Sequence, residues 1–123
     1  MVGMKLSAGA KLKMDVFTQA RRKFDRIHSL VEQYAGTSKG EDALLSPISR
    51  TATEVARLLM MSGYGIMADH SNQISMLAKR GTGKQTKLRT FRELVASVRQ
   101  AIDHAERVII EEEKAAPGQP EGE

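Results

Sequence analysis

Between residues 14 and 35 the apolar side chains Phe17, Ala20, Phe24, Ile27, Val31 and Tyr34 recur at intervals of three and four. At 3.6 residues per turn this spacing puts all six on one face of a helix, and it does not fit the two-residue alternation of a half-buried strand. Arg21, Arg22, Asp25, Arg26 and Glu32 fill the rest of the circumference. The pattern therefore predicts an amphipathic helix over residues 14–35, stopped by Gly36 in a left-handed conformation. Residues 1–12 mix Gly, Ser, Ala and Lys without such periodicity and read as a mobile basic arm carrying Lys5 and Lys11, followed at once by Lys13.

The same period returns three times. Ile48, Ala52, Val55, Leu58 and Leu59 make a second stripe, with Arg50, Glu54 and Arg57 facing water. Pro47 suggests that this helix starts with Ser46 as N-cap and proline at the first helical position, although an earlier turn over residues 41–45 is the other reading. Met60 and Met61 widen the apolar arc, as burial on two sides would require. Gly63-Tyr64-Gly65 interrupts the pattern, and a short third helix follows, capped by Asp69 or Ser71 and carrying Ile74 and Leu77 inward. Residues 79–89 hold five Lys and Arg and no acid, which reads as an exposed, mobile basic linker. Thr90 and Glu93 have the spacing of a capping box, and Leu94, Val98, Ala101, Ile102, Ala105, Val108 and Ile109 carry a fourth helix to about residue 113.

Four amphipathic segments joined by short connections pack most simply as an all-α, antiparallel four-helix bundle with one short helix. The 123 residues suffice for one domain, with the bundle over residues 13–113 and a disordered acidic tail over residues 114–123. No run of about 18 apolar residues offers a membrane span. The N-terminus has no apolar signal-peptide core, and the chain has no cysteine, so disulfides and zinc-thiolate chemistry are excluded and a cytoplasmic protein is expected.

Charge is uneven. Through Arg107 the chain carries 18 Lys and Arg against 10 Asp and Glu, and beyond it one Lys against five Glu. A basic body with an acidic tail favours an anionic partner, and the tail is placed to compete for the basic face in cis. The expected nucleic-acid contacts are Arg21, Arg22, Lys23 and Arg26 on the first helix, with Lys79, Arg80, Lys84, Lys87, Arg89 and Arg92 in and after the linker. They form one patch if the linker packs beside an end of the first helix. Only five aromatics are present, at least three of them at core spacing, so contacts to phosphate rather than base stacking are expected.

Other motifs are weaker. Residues 81–86, Gly-Thr-Gly-Lys-Gln-Thr, are similar to the end of a phosphate-binding loop, but Ala78 stands where its first glycine belongs and Gln85 where its magnesium-holding hydroxyl belongs. Arg99 and His104 have the Arg-x4-His spacing that resembles the last helix of HEPN-type ribonucleases, where the arginine holds a phosphate and the histidine moves a proton. Five residues along a helix turn the two about 140° apart, so they share no face without a partner. His28, His70 and His104 have no metal-ligand spacing, and neither metal nor cofactor is expected.

These features point to a non-enzymatic accessory subunit that self-associates or docks on a larger complex and presents a basic surface to nucleic-acid backbone. The alternative is an adaptor or chaperone that binds a protein through the apolar face of Leu59, Met60, Met61 and Tyr64. A HEPN-like ribonuclease is the second alternative.

Overall fold

The computed structural model describes residues 6–115. They form four helices, α1 (Ala8–Ala35), α2 (Asp42–Met61), α3 (Gly65–Lys79) and α4 (Lys84–Ala115), with no strand among the described residues. Each helix packs against two others: α1 against α2 and α4, and α3 against α2 and α4. Phe17, Phe24, Ile27, Ile48, Leu59, Ile74, Phe91 and Ile102, at least one from each helix, are fully buried at the centre.

Each helix ends close to where its apolar stripe fails, but all four begin earlier than the stripes suggested. α1 starts at Ala8, so residues 8–12 are helix rather than a loose arm. The Ser7 hydroxyl accepts the Ala10 N–H at 3.1 Å, and the Ser7 N–H donates to Glu113 at 2.7 Å. A cap plus a tie to the end of α4 thus orders a segment with no apolar period of its own. Lys11 and Lys13 sit on this first stretch of helix, whereas Lys5 lies outside the described residues, as does the tail beyond residue 115.

α2 starts at Asp42, not at Ser46, and Pro47 is its sixth residue. Proline there removes the one N–H that would reach the Ala43 carbonyl. Leu44 and Leu45 pack against the core, and their burial offsets that lost bond. The chain reverses before α2 through Gly40 at φ 72°, while Gly36 has φ −92° and is not a left-handed stop. At the other end of α2, Gly63 at φ 88° completes a reciprocal cap in which Tyr64 N–H donates to Leu59 and Gly63 N–H to Met60. That turn leads straight into α3 at Gly65. Ser71 is therefore interior, with its buried hydroxyl donating to the Met67 carbonyl at 2.8 Å, and neither it nor Asp69 caps the helix.

The expected basic linker is largely the first two turns of α4. Leu88 and Phe91 are buried, and Thr90 is the seventh helical residue, so the capping box does not form. At 32 residues α4 is about 48 Å long. Contacts pair the start of α1 with the end of α4 (Ser7 with Glu113) and the end of α1 with the start of α4 (Thr37 with Lys84). Between these, ion pairs step in opposite order along the two helices: Arg21 with Asp103 and Glu106, Asp25 with Arg99, and Glu32 with Arg92.

The α2–α3 seam is built from small side chains. Ser49, Ala52, Ala56, Ala68, Ser71, Ser75 and Ala78 are all buried, which lets the two backbones approach closely. Three hydroxyls meet there, with Ser49 and Ser75 oxygens 3.0 Å apart and Thr53 and Ser75 oxygens 2.9 Å apart.

Candidate functional site

The ten cations expected to contact nucleic acid do not form one patch. Lys84 reaches the end of α1, but Arg22 lies twelve residues before Tyr34, about 18 Å down the helix axis. Half of the ten already have work inside the fold. Arg21 binds Glu106 and Asp103 on α4, and the hydrogen bonds it donates to those two carboxylates raise its already high pKa further. Lys23 pairs with Glu54 across α1 and α2 at 3.3 Å. Arg92 grips Glu32 through both oxygens, at 2.8 and 3.0 Å, which holds the Glu32 carboxyl below the usual carboxylate range.

Lys84 and Lys87, the lysines of the glycine-rich segment, are helix staples. Lys84 donates to the Thr37 carbonyl after α1, pairs with Glu41 at 2.8 Å and stands 4.9 Å over the Tyr34 ring. Lys87 is only 4% exposed, and its ammonium donates to the Arg80 carbonyl at the end of α3 at 2.7 Å. Both serve the electronegative C-terminal ends of neighbouring helices, which explains lysines in this otherwise loop-like sequence without a phosphate ligand. The signal for their burial was present: Leu88, Phe91, Val95, Val98 and Ile102 keep the three–four spacing back through the capping-box position.

The remaining five, Arg22, Arg26, Lys79, Arg80 and Arg89, are exposed, and none makes an ion pair among the described residues. Arg22 and Arg26 lie on the outer side of α1, and the other three flank the α3–α4 turn.

A groove of about 770 Å³ runs along α2 beside the end of α3. It is lined by Arg50 and Arg57 from α2 and Lys79 from α3, over a floor that includes Ser49, Thr53 and Ala78. Asp42 and Glu54 also line it, with Glu54 turned to Lys23. Arg50 and Arg57 were read only as solvated residues, although their spacing of seven already put them on one outer face. What the sequence could not supply was the opposite wall.

Among the apolar candidates Leu59 is fully buried, so it is core and not a partner contact. Tyr64 is half-buried with its ring 4.7 Å from Phe17, and burial raises its phenol pKa. Met60 and Met61 do not fill the core as their place beside the stripe suggested: Met61 is 81% exposed, and Met60 and Met76 are more than half exposed. Met67, at the start of α3, is by contrast buried. Ile66, in the first turn of α3, is 76% exposed, so Met60, Met61 and Ile66 present apolar surface around the α2–α3 turn.

Arg99 is paired with Asp25 on α1, while His104 is exposed. His28 shares a shallow cleft with Arg92 and Arg99, and the acids paired to those arginines leave little positive charge there for a phosphate. His70 has a buried Nδ1 with no hydrogen-bond partner. No cluster of three or more metal-ligating side chains occurs among the described residues, and no helix there is long and apolar enough to cross a membrane. Compared with known proteins, the chain matches no family model, no curated protein and no solved structure.

Proposed function

We propose that this protein is a non-enzymatic accessory subunit, a cytoplasmic antiparallel four-helix bundle that lends a basic surface to nucleic-acid backbone within a larger or self-associated assembly. The observation that carries the reading is the division of its cations. The α1–α4 seam is neutralised by interhelical ion pairs, whereas Arg22, Arg26, Arg50, Arg57, Lys79, Arg80 and Arg89 are exposed with no ion pair among the described residues. Unpaired arginines suit phosphate contacts that do not read sequence, and their affinity falls steeply with salt. The buried positions of Phe17, Phe24, Tyr34 and Phe91 agree with backbone contact rather than base stacking.

Light scattering of the purified protein with a short RNA and a short DNA duplex tests this reading. A defined particle gains nucleic-acid mass at low salt and loses it at high salt. A particle that ignores both nucleic acids at low salt sinks the proposal.

The exposed Met60, Met61 and Ile66 favour a second reading, a protein-interaction adaptor that binds through the α2–α3 turn. Under that reading a protein partner is lost on Met60→Ser/Met61→Ser while nucleic acid has no effect.

A further inference from the structure

The groove along α2 and the end of α3 gathers cations from two helices. Arg50 and Arg57 are seven residues apart, about 10.5 Å along the helix axis, and Lys79 adds a third cation from the opposite wall. No ion pair engages any of the three among the described residues. Of the two carboxylates in the groove, Glu54 is 3.3 Å from Lys23, which offsets its charge, and Asp42 lies in the first turn of α2.

The floor supplies shape and few donors. Each hydroxyl carries one proton, and Thr53 donates its own to the Ser49 carbonyl at 3.0 Å. Ser75 must then donate to Thr53, and Ser49 to Ser75. The donors left for a ligand are therefore the cations on the walls and Ser46 at the rim.

We infer that this groove is the seat of a phosphodiester backbone, with Arg50, Arg57 and Lys79 each contacting phosphate; the inference rests on the backbone-binding function proposed above. Arg50 and Arg57 stand about two helical turns apart along the groove, and Lys79 joins them from α3. That spacing suits a polymer that repeats its charge and can offer a separate phosphate to each cation. No aromatic residue lines the groove, so bases are not stacked there.

The test compares Arg50→Ala/Arg57→Ala/Lys79→Ala with Lys13→Ala/Lys39→Ala/Arg107→Ala, a variant of equal charge change at exposed cations outside the groove. Fluorescence anisotropy is read with a labelled 20-nucleotide RNA strand and a labelled DNA duplex across a salt series. The groove variant is expected to lose at least about tenfold in affinity at 0.1 M salt. Its slope of log K against log salt shrinks by about 2 for the strand, at about 0.7 per lost phosphate contact. The outside variant changes affinity less than about threefold, and both melt within about 2 °C of the parent because exposed, unpaired side chains were removed.

Equal losses in the two variants, or a groove variant that binds like the parent, overturn the groove while leaving the backbone-binding function standing. A parent protein that binds neither nucleic acid overturns both. Binding to anionic phosphatidylserine vesicles that needs the groove cations, with none to RNA or DNA, makes a membrane surface the ligand and also overturns the inference.

Discussion

Ser75 sits at the junction of a buried proton chain, and its removal tests how the α2–α3 seam is held. Thr53 gives its proton to the Ser49 carbonyl, so Ser75 donates to Thr53 at 2.9 Å and receives the Ser49 proton at 3.0 Å. Ser49 and Ser75 are each less than a tenth exposed. Ser75→Ala deletes the acceptor and leaves a buried Ser49 hydroxyl without a partner, which costs about 1–3 kcal/mol. For a chain of this size about 1 kcal/mol corresponds to about 4 °C, so a fall in Tm of about 4–12 °C is expected. Ser49→Ala/Ser75→Ala removes donor and acceptor together, while Thr53 keeps its carbonyl partner. The double variant is then no less stable than Ser75→Ala, and the cycle shows a coupling of about 1 kcal/mol or more. Thermal and urea unfolding followed by circular dichroism measure both quantities. A Ser75→Ala protein within about 0.5 kcal/mol of the parent, or strictly additive single losses, refutes the proton chain.

Phe24→Ala opens a cavity at a fully buried site and is expected to cost about 3–5 kcal/mol in urea unfolding. Leu59→Ser destabilises strongly while Met61→Ser stays within about 0.5 kcal/mol, since the first is buried and the second stands in solvent; matched melts check the contrast. Lys84→Met frees the Thr37 carbonyl and the Glu41 carboxylate, and amide exchange quickens first over residues 36–41 before any global loss appears. The lowered pKa of Glu32 means the folded state holds fewer protons than the unfolded one in mildly acid solution. Its contribution is present above the ordinary carboxylate range and is lost as pH falls through the lowered folded value. Arg92→Leu abolishes that part of the acid dependence, read as a flatter plot of urea midpoint against pH.

The helical class was legible in the residues themselves. Three–four spacing of Phe17, Phe24, Ile27, Val31 and Tyr34 determines which face of α1 is apolar whatever it packs against, and all five are buried. The same holds for Ile48, Ala52 and Val55 on α2 and for Val98 and Ile102 on α4. Positions 63–65 announced a break because glycine alone readily takes a φ of 88°.

Where the helices begin was settled elsewhere. Residues 8–12 lack an apolar period, and they are helical because Ser7 is tied to Glu113, a residue 106 positions away. Lys84 and Lys87 look like loop lysines by composition. They belong to α4 because the ends of α1 and α3 place carbonyls within reach of their ammonium groups.

The candidate site divides along the same line. A sequence counts its cations but cannot say which will meet a carboxylate, so Arg21, Lys23 and Arg92 looked as available as Arg22 and Arg26 until the helices were set side by side. The groove is the converse case: Arg50 and Arg57 share a face by periodicity alone, while Lys79 joins them only because small side chains let α3 lie close against α2. Periodicity is a local property of a helix and can be read from one segment. Pairing and burial depend on which segments become neighbours, and that was decided by the tertiary packing.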